Sequence, residues 1–181
     1  MQSLQLTKKD IPAVNALYSV YMIYLLYRNL SNIVFILTLV NFLLFIVTHK
    51  FYCASNAIFL CYIYFSSGIS QQARKAGEQA IRYLDLLLSA SSISDVNFLD
   101  AVDELNKIHL MIPSGLLRGR YIFIMISARV APLTIAKARR ELTMYEKLVI
   151  WLAGGLPVDH TDIKVKISLN SINYKIALSF D

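Results

Sequence analysis

Asn29–Thr48 (NLSNIVFILTLVNFLLFIVT) and Phe51–Gln72 (FYCASNAIFLCYIYFSSGISQQ) contain no charged side chain, and only His49 and Lys50 separate them. A helix rises about 1.5 Å per residue, so roughly 20 residues cross a hydrocarbon core about 30 Å thick. Each stretch reaches that length. The first carries Leu, Ile, Val and Phe on every face, which a helix half-exposed to water does not tolerate. The second is interrupted by Ser55, Asn56, Ser66, Ser67 and Ser70 and is the weaker span. Together they predict a transmembrane helical hairpin over residues 29–72. The competing reading is a pair of buried core helices in a soluble helical protein that oligomerises through residues 11–72.

Upstream, Ile11–Tyr27 (IPAVNALYSVYMIYLLY) is a third apolar segment, bounded by Asp10 and Arg28. Tyr18, Tyr21, Tyr24 and Tyr27 recur every third residue and form a drifting stripe on a helix. Tyrosine suits the headgroup level, where its ring is apolar and its hydroxyl wet. Residues 1–28 are therefore read as an amphipathic or interfacial N-terminal segment, with a third short span as the alternative. The run ends at Arg28 without a small-residue cleavage pattern, unlike a cleavable signal.

Charge sets the expected orientation. With two spans, Lys8, Lys9, Arg28, Arg74, Lys75 and Arg82 share one side, against Lys50 with His49 on the other. The positive-inside rule then places both termini in the cytoplasm, and in a bacterium the membrane is the inner one. Cys53 and Cys61 lie eight residues apart on the second span, too far to bridge within a regular helix.

From Ala73 the chain reads as a cytoplasmic domain, residues 73–181. Ala73–Ala90 places Ala76, Ala80, Tyr83, Leu84, Leu87 and Leu88 at helical spacing, with Glu78 and Arg82 as an i,i+4 pair. Ser91, Ser92 and Ser94 break that helix and cap a second, Asp95–Leu110, with Phe98, Leu99, Val102, Leu105 and Ile108 inward. Tyr121–Ile126 (YIFIMI) suits a buried strand or a helix face equally well. Pro132 starts a further helix, carried by Ala136, Leu142, Tyr145, Leu148, Val149 and Leu152 to about Ala153. Gly154 and Gly155 stop it. At the end, Ile163, Val165, Ile167 and Leu169 alternate with polar residues, as do Ile172, Tyr174, Ile176, Leu178 and Phe180. A turn at Asn170 and Ser171 would put every apolar residue of this β-hairpin on one face. The expected fold class is thus a membrane-anchored α+β protein: an N-terminal transmembrane helical hairpin followed by a small helical domain ending in a β-hairpin.

The 181 residues are 56% hydrophobic and 17% charged, against about 45–50% and about 25% in ordinary soluble domains, which excludes disorder and disfavours a soluble protein. Two Cys are too few for a disulfide scaffold. No HExxH, CxxC pair, GxSxG or GxxxxGK[ST] is present, and no cofactor is expected. Asp159, His160 and Asp162 read as a solvated loop more readily than as metal ligands or an acid/base cluster. Asp103 and Glu104 read as a wet helix face, and Gly115 and Gly119 are too sparse for a phosphate loop.

One charge pattern stands out. Between Leu116 and Arg140 the charged residues are Arg118, Arg120, Arg129, Lys137, Arg139 and Arg140, with no acid among them. Arg118, Arg120, Arg139 and Arg140 are the candidate binding residues, for headgroups or an acidic protein surface. Pairing with Asp95, Asp100, Asp103, Glu104, Glu141 and Glu146 would cancel most of that field. Nucleic acid is disfavoured as a partner, because neither a groove-reading motif nor interleaved surface aromatics accompany the net charge of +6. The expected partners are the lipid bilayer and a membrane protein or a second copy of the chain. The expected function is non-catalytic: an accessory, exclusion or immunity factor of a bacterial inner membrane. The alternative is a membrane-bound enzyme acting on a lipid or phosphate substrate through the arginines and His160.

Overall fold

The computed structural model describes residues 11–89, 95–107, 110 and 112–157. Their regular structure is α1 (Ile11–Thr48), α2 (Phe51–Ser66), α3 (Ile69–Ser89), α4 (Asp95–Asn106), α5 (Ser114–Ser127), α6 (Pro132–Arg140) and α7 (Met144–Leu152).

Helix α1 organises the molecule. Its first half is the centre of a bundle, with Ala13, Val14, Leu17, Met22, Ile23 and Leu26 buried among α3, α5, α7 and α4. A helix apolar on all faces needs cover on all faces, and these four helices supply it. Residues 13–26 of the segment read as interfacial thereby lie in the bundle core, and Tyr18 and Tyr24 pack against it. Tyr18 stacks on Phe123, centroids 3.6 Å apart, and its hydroxyl donates to the Gly155 carbonyl at 2.8 Å. Tyr24 lies against Gly77 of α3.

The same helix continues to Thr48, where its surroundings change. From Ile33 to Val47 its large apolar side chains other than the half-buried Val34 and Phe45 are exposed, as are Phe51, Ile58, Phe59, Tyr62 and Phe65 of α2. His49, at φ +51, ends α1 with its N–H donating to the Phe45 carbonyl at 2.8 Å, and Lys50 precedes α2. This left-handed residue lets the chain reverse in two residues, so α2 packs back along α1. Cys53 and Cys61 are free thiols on α2. Gly68, at φ +63, separates α2 from α3, which returns along the buried half of α1.

The expected α+β class is corrected to an all-helical one. Helix takes in 85% of the described residues, and no strand occurs among them. Tyr121–Ile126 lies inside α5, where Ile122, Phe123 and Ile126 are buried while Tyr121 and Ile124 turn outward. That i, i+1, i+4 burial is helical, and the faces of α3, α4, α5 and α7 close the core around α1 without a sheet. The β-hairpin expected over 162–180 lies outside the described residues.

Three smaller differences are local. The helix expected from Pro132 to Ala153 is broken at Glu141–Thr143, because Thr143 caps α7. The Thr143 hydroxyl accepts from the Glu146 N–H, while the Glu146 carboxylate accepts from the Thr143 N–H at 2.8 Å. Glu78 pairs with Arg74 at 3.0 Å rather than with Arg82. Leu99, expected inward, is exposed, as are Leu88 and Leu148 of the apolar helical patterns, whereas Phe98, Val102 and Val149 are buried.

Candidate membrane and arginine surfaces

Two helical stretches, Pro12–Thr48 and Phe51–Ser89, are long and apolar enough to cross a membrane. Their exposed parts, Ile33–Val47 of α1 and Phe51–Phe65 of α2, form one apolar belt, with Phe51 82% and Phe65 79% exposed. Soluble monomers rarely expose contiguous apolar patches beyond a few hundred Å², and a soluble core helix would hide these residues. Asn29–Thr48 of α1 is about 30 Å long and α2, with 16 residues, about 24 Å.

Polar groups inside the belt are handled locally where the backbone allows. The Thr38 hydroxyl donates to the Val34 carbonyl at 2.8 Å and the Asn41 amide to Leu37 at 2.8 Å. Asn56, on the exposed side of α2, has Tyr52 and Phe59 one turn away on either side. An apolar groove of about 340 Å³ runs between the helices, lined by Phe35, Thr38, Leu39, Phe42, Ala57, Ile58 and Cys61.

The four arginines do not form one cluster. Arg118 on α5 donates to the Glu141 carbonyl at 3.0 Å and lies 3.7 Å from the Glu146 carboxylate. It therefore clamps the α6–α7 junction. Hydrogen bonds from the Thr143 N–H and hydroxyl hold the Glu146 carboxyl below the usual carboxylate range, desolvation opposes them less strongly, and Arg118 adds the smallest lowering effect. Arg139 donates to the Pro157 carbonyl and ties α6 to the segment after α7. Arg120 is half-buried, two residues from Arg118; burial raises the pKa of the Tyr83 hydroxyl on α3, and the Gln79 hydrogen bond and, least, the Arg120 charge oppose that rise. Arg140 is exposed at the end of α6. Two of the four thus support the fold by holding backbone carbonyls, a use of the guanidinium fork that residue type alone does not distinguish from ligand binding.

Asp159, His160 and Asp162 lie outside the described residues. Asp103 and Glu104 are exposed on α4, and among the described residues no group of three His, Cys, Asp or Glu side chains is placed to hold a metal.

The structure adds features that the sequence reading missed. Gly115 and Gly119 are the close approach of α5 to α7: a Cβ on Gly115 would lie 2.9 Å from Val149 Cγ2, and one on Gly119 2.9 Å from Ile150 Cγ1. Their G-x-x-x-G spacing is the signal for such an approach. The Asn29 side-chain amide donates to the Leu152 carbonyl at 2.6 Å, which fixes the end of α7 to α1 where the belt begins. Met144, Leu148 and Trp151 form an exposed apolar stripe on α7, with Trp151 70% exposed. Comparison with protein-family models, with curated proteins and with solved structures gives no match to this chain.

Proposed function

We propose that the chain is an integral membrane protein that acts by contact with a membrane protein complex, as accessory, exclusion or immunity factors of a bacterial inner membrane do. In this reading Asn29–Thr48 of α1 and α2 cross the bilayer as a hairpin, and the helical bundle lies on the cytoplasmic side with both termini. The observation that carries it is the change of surroundings along α1, buried up to Leu26 and exposed from Ile33 onward. A helix that is a protein core at one end and an uncovered apolar rod at the other needs an apolar solvent for the second part. The contact reading is supported by Asn56, an exposed carboxamide between aromatic side chains, where lipid offers no hydrogen-bond partner and a facing transmembrane helix does.

A photocrosslinker at Phe59, one turn from Asn56, tests the contact in the native membrane. One protein adduct of fixed size is expected, and Asn56→Leu should abolish it while the chain resists alkaline carbonate extraction. Adducts to lipid alone would overturn the contact reading, and release by carbonate would overturn the span.

A further inference from the structure

We infer that α7 is an interfacial helix that rests on the anionic headgroup layer of the membrane crossed by α1 and α2. The inference rests on the proposed span and assigns the bundle's outer surface a ligand, an anionic lipid surface.

The argument begins with the direction of α5. Gly119 lies beside Met22, Phe123 stacks on Tyr18 and the Ser127 hydroxyl bonds Asn15 at 2.9 Å, so α5 runs antiparallel to α1. Its first turn, with Gly115, is therefore the end nearest the belt. Helix α7 crosses that same end. Tyr145 and Val149 touch Gly115 at one side, and the Leu152 carbonyl accepts from Asn29 at the other. Between them Ile150 reaches to Gly119, one turn of α5 further from the belt.

At 100° per residue, Met144, Leu148 and Trp151 fall within about 60° of one another, on the side of α7 opposite Val149, Ile150 and Ala153. The latter three are buried and the former three exposed. The stripe is therefore turned outward from α5 and α1, at the end of the bundle where Asn29 holds α7 beside the belt. Its ends match a headgroup boundary: Arg28 and Asn29 precede the belt on α1, and Gly68 with Arg74 and Lys75 follows it on the α2–α3 side.

Charge agrees with that placement. Lys147 on α7 and Lys137 and Arg140 on α6 are exposed, and the acids nearby in the chain are Glu141 and Glu146. Glu146 is turned into the Thr143 cap and toward Arg118, which leaves the cationic groups in excess over Glu141. An apolar stripe ending in Trp and flanked by Lys and Arg is the composition that settles at an anionic interface.

Trp151 is the single tryptophan of the chain and reports on its own surroundings. The full chain is reconstituted in phosphatidylcholine vesicles with and without phosphatidylglycerol, and its integration is checked separately by carbonate extraction. Lipids brominated high in the acyl chain are expected to quench Trp151 more than lipids brominated near the chain end. Aqueous acrylamide should quench it weakly, and phosphatidylglycerol should strengthen the lipid quenching. Lys147→Glu with Arg140→Glu, both at exposed positions, should remove the phosphatidylglycerol effect. Carbonate-resistant chain whose Trp151 is open to acrylamide and untouched by brominated lipid overturns the interfacial helix while the span stands. Trp151 shielded from both quenchers means that a protein segment covers the stripe, which also overturns it. Lipid quenching that ignores phosphatidylglycerol and the double variant removes the anionic specificity. Release by carbonate removes the span itself.

Discussion

Gly115 shows how much a single residue decides here. Alanine in a helix is favoured over glycine by about 1 kcal/mol, so propensity alone makes Gly115→Ala stabilising. Its methyl group would sit 2.9 Å from Val149 Cγ2 and 3.1 Å from Val149 Cβ, atoms of a β-branched side chain anchored next to the backbone. Overpacking of this kind costs about 1–3 kcal/mol, so the substitution should lower the unfolding midpoint in detergent. Gly119→Ala should cost less, because there the contact is with the γ and δ carbons of Ile150, whose end can swing. Thermal or denaturant unfolding of the two variants checks the order, and a higher midpoint for Gly115→Ala would show that propensity outweighs the contact. These glycines were legible in the sequence only through their spacing of four, and a search for phosphate loops passes over that spacing. Thr143 and Glu146 were legible in the same way, as T-x-x-E ahead of an apolar run. The roles of Arg118 and Arg139 were not. Their partners are the backbone carbonyls of Glu141 and Pro157, 23 and 18 residues away, and a carbonyl has no sequence signature.

Among the elements, α6 stands apart. It has no buried residue; Ile135 and Ala138 pack half-buried against the core, α5 is its main neighbour, Arg139 ties its end to Pro157, and Arg118 of α5 holds the Glu141 carbonyl that follows it. The first half of α1, in contrast, is covered on all sides. Local opening follows burial, so amides of α6 should exchange with solvent deuterium well before those of residues 14–28 in the reconstituted chain. Exchange mass spectrometry checks this, and equal protection of the two segments would contradict the central placement of α1. The ends of α1 and α2 at Thr48 and Phe51 were readable from the sequence, since His49 and Lys50 interrupt two uncharged runs. The continuity of α1 across Arg28 was not. A charged residue between two apolar runs reads as a boundary, whereas in the structure it lies exposed on an uninterrupted helix, its guanidinium 5.9 Å from the Tyr24 ring centroid. The assignment to α+β failed on weighting. Alternation near the C-terminus points to strands, while the helical placement of Tyr121–Ile126 becomes visible only in the burial of Ile122, Phe123 and Ile126.

At the scale of the whole molecule, the proposed hairpin would fix which parts share a side of the membrane. With Cys53 and Cys61 replaced, a cysteine at residue 49 should react with an impermeant maleimide only from the face opposite the bundle. A cysteine at Glu104, exposed on α4, should react only from the bundle side. Paired assays on right-side-out and inverted vesicles read both, and labelling of the two positions from one face would contradict the crossing. The 38 residues of α1 make a rod about 57 Å long with no glycine or internal proline to bend it. The returning path is jointed at Gly68. In the proposed crossing, the span of α1 is about a turn longer than α2, so a change in bilayer thickness is met unequally by the two. The stiff member then acts as a lever and the jointed one as its pivot arm. Any tilt of the first span in that crossing is carried by the unbroken α1 straight into the core of the bundle, because no joint separates the two halves of that helix.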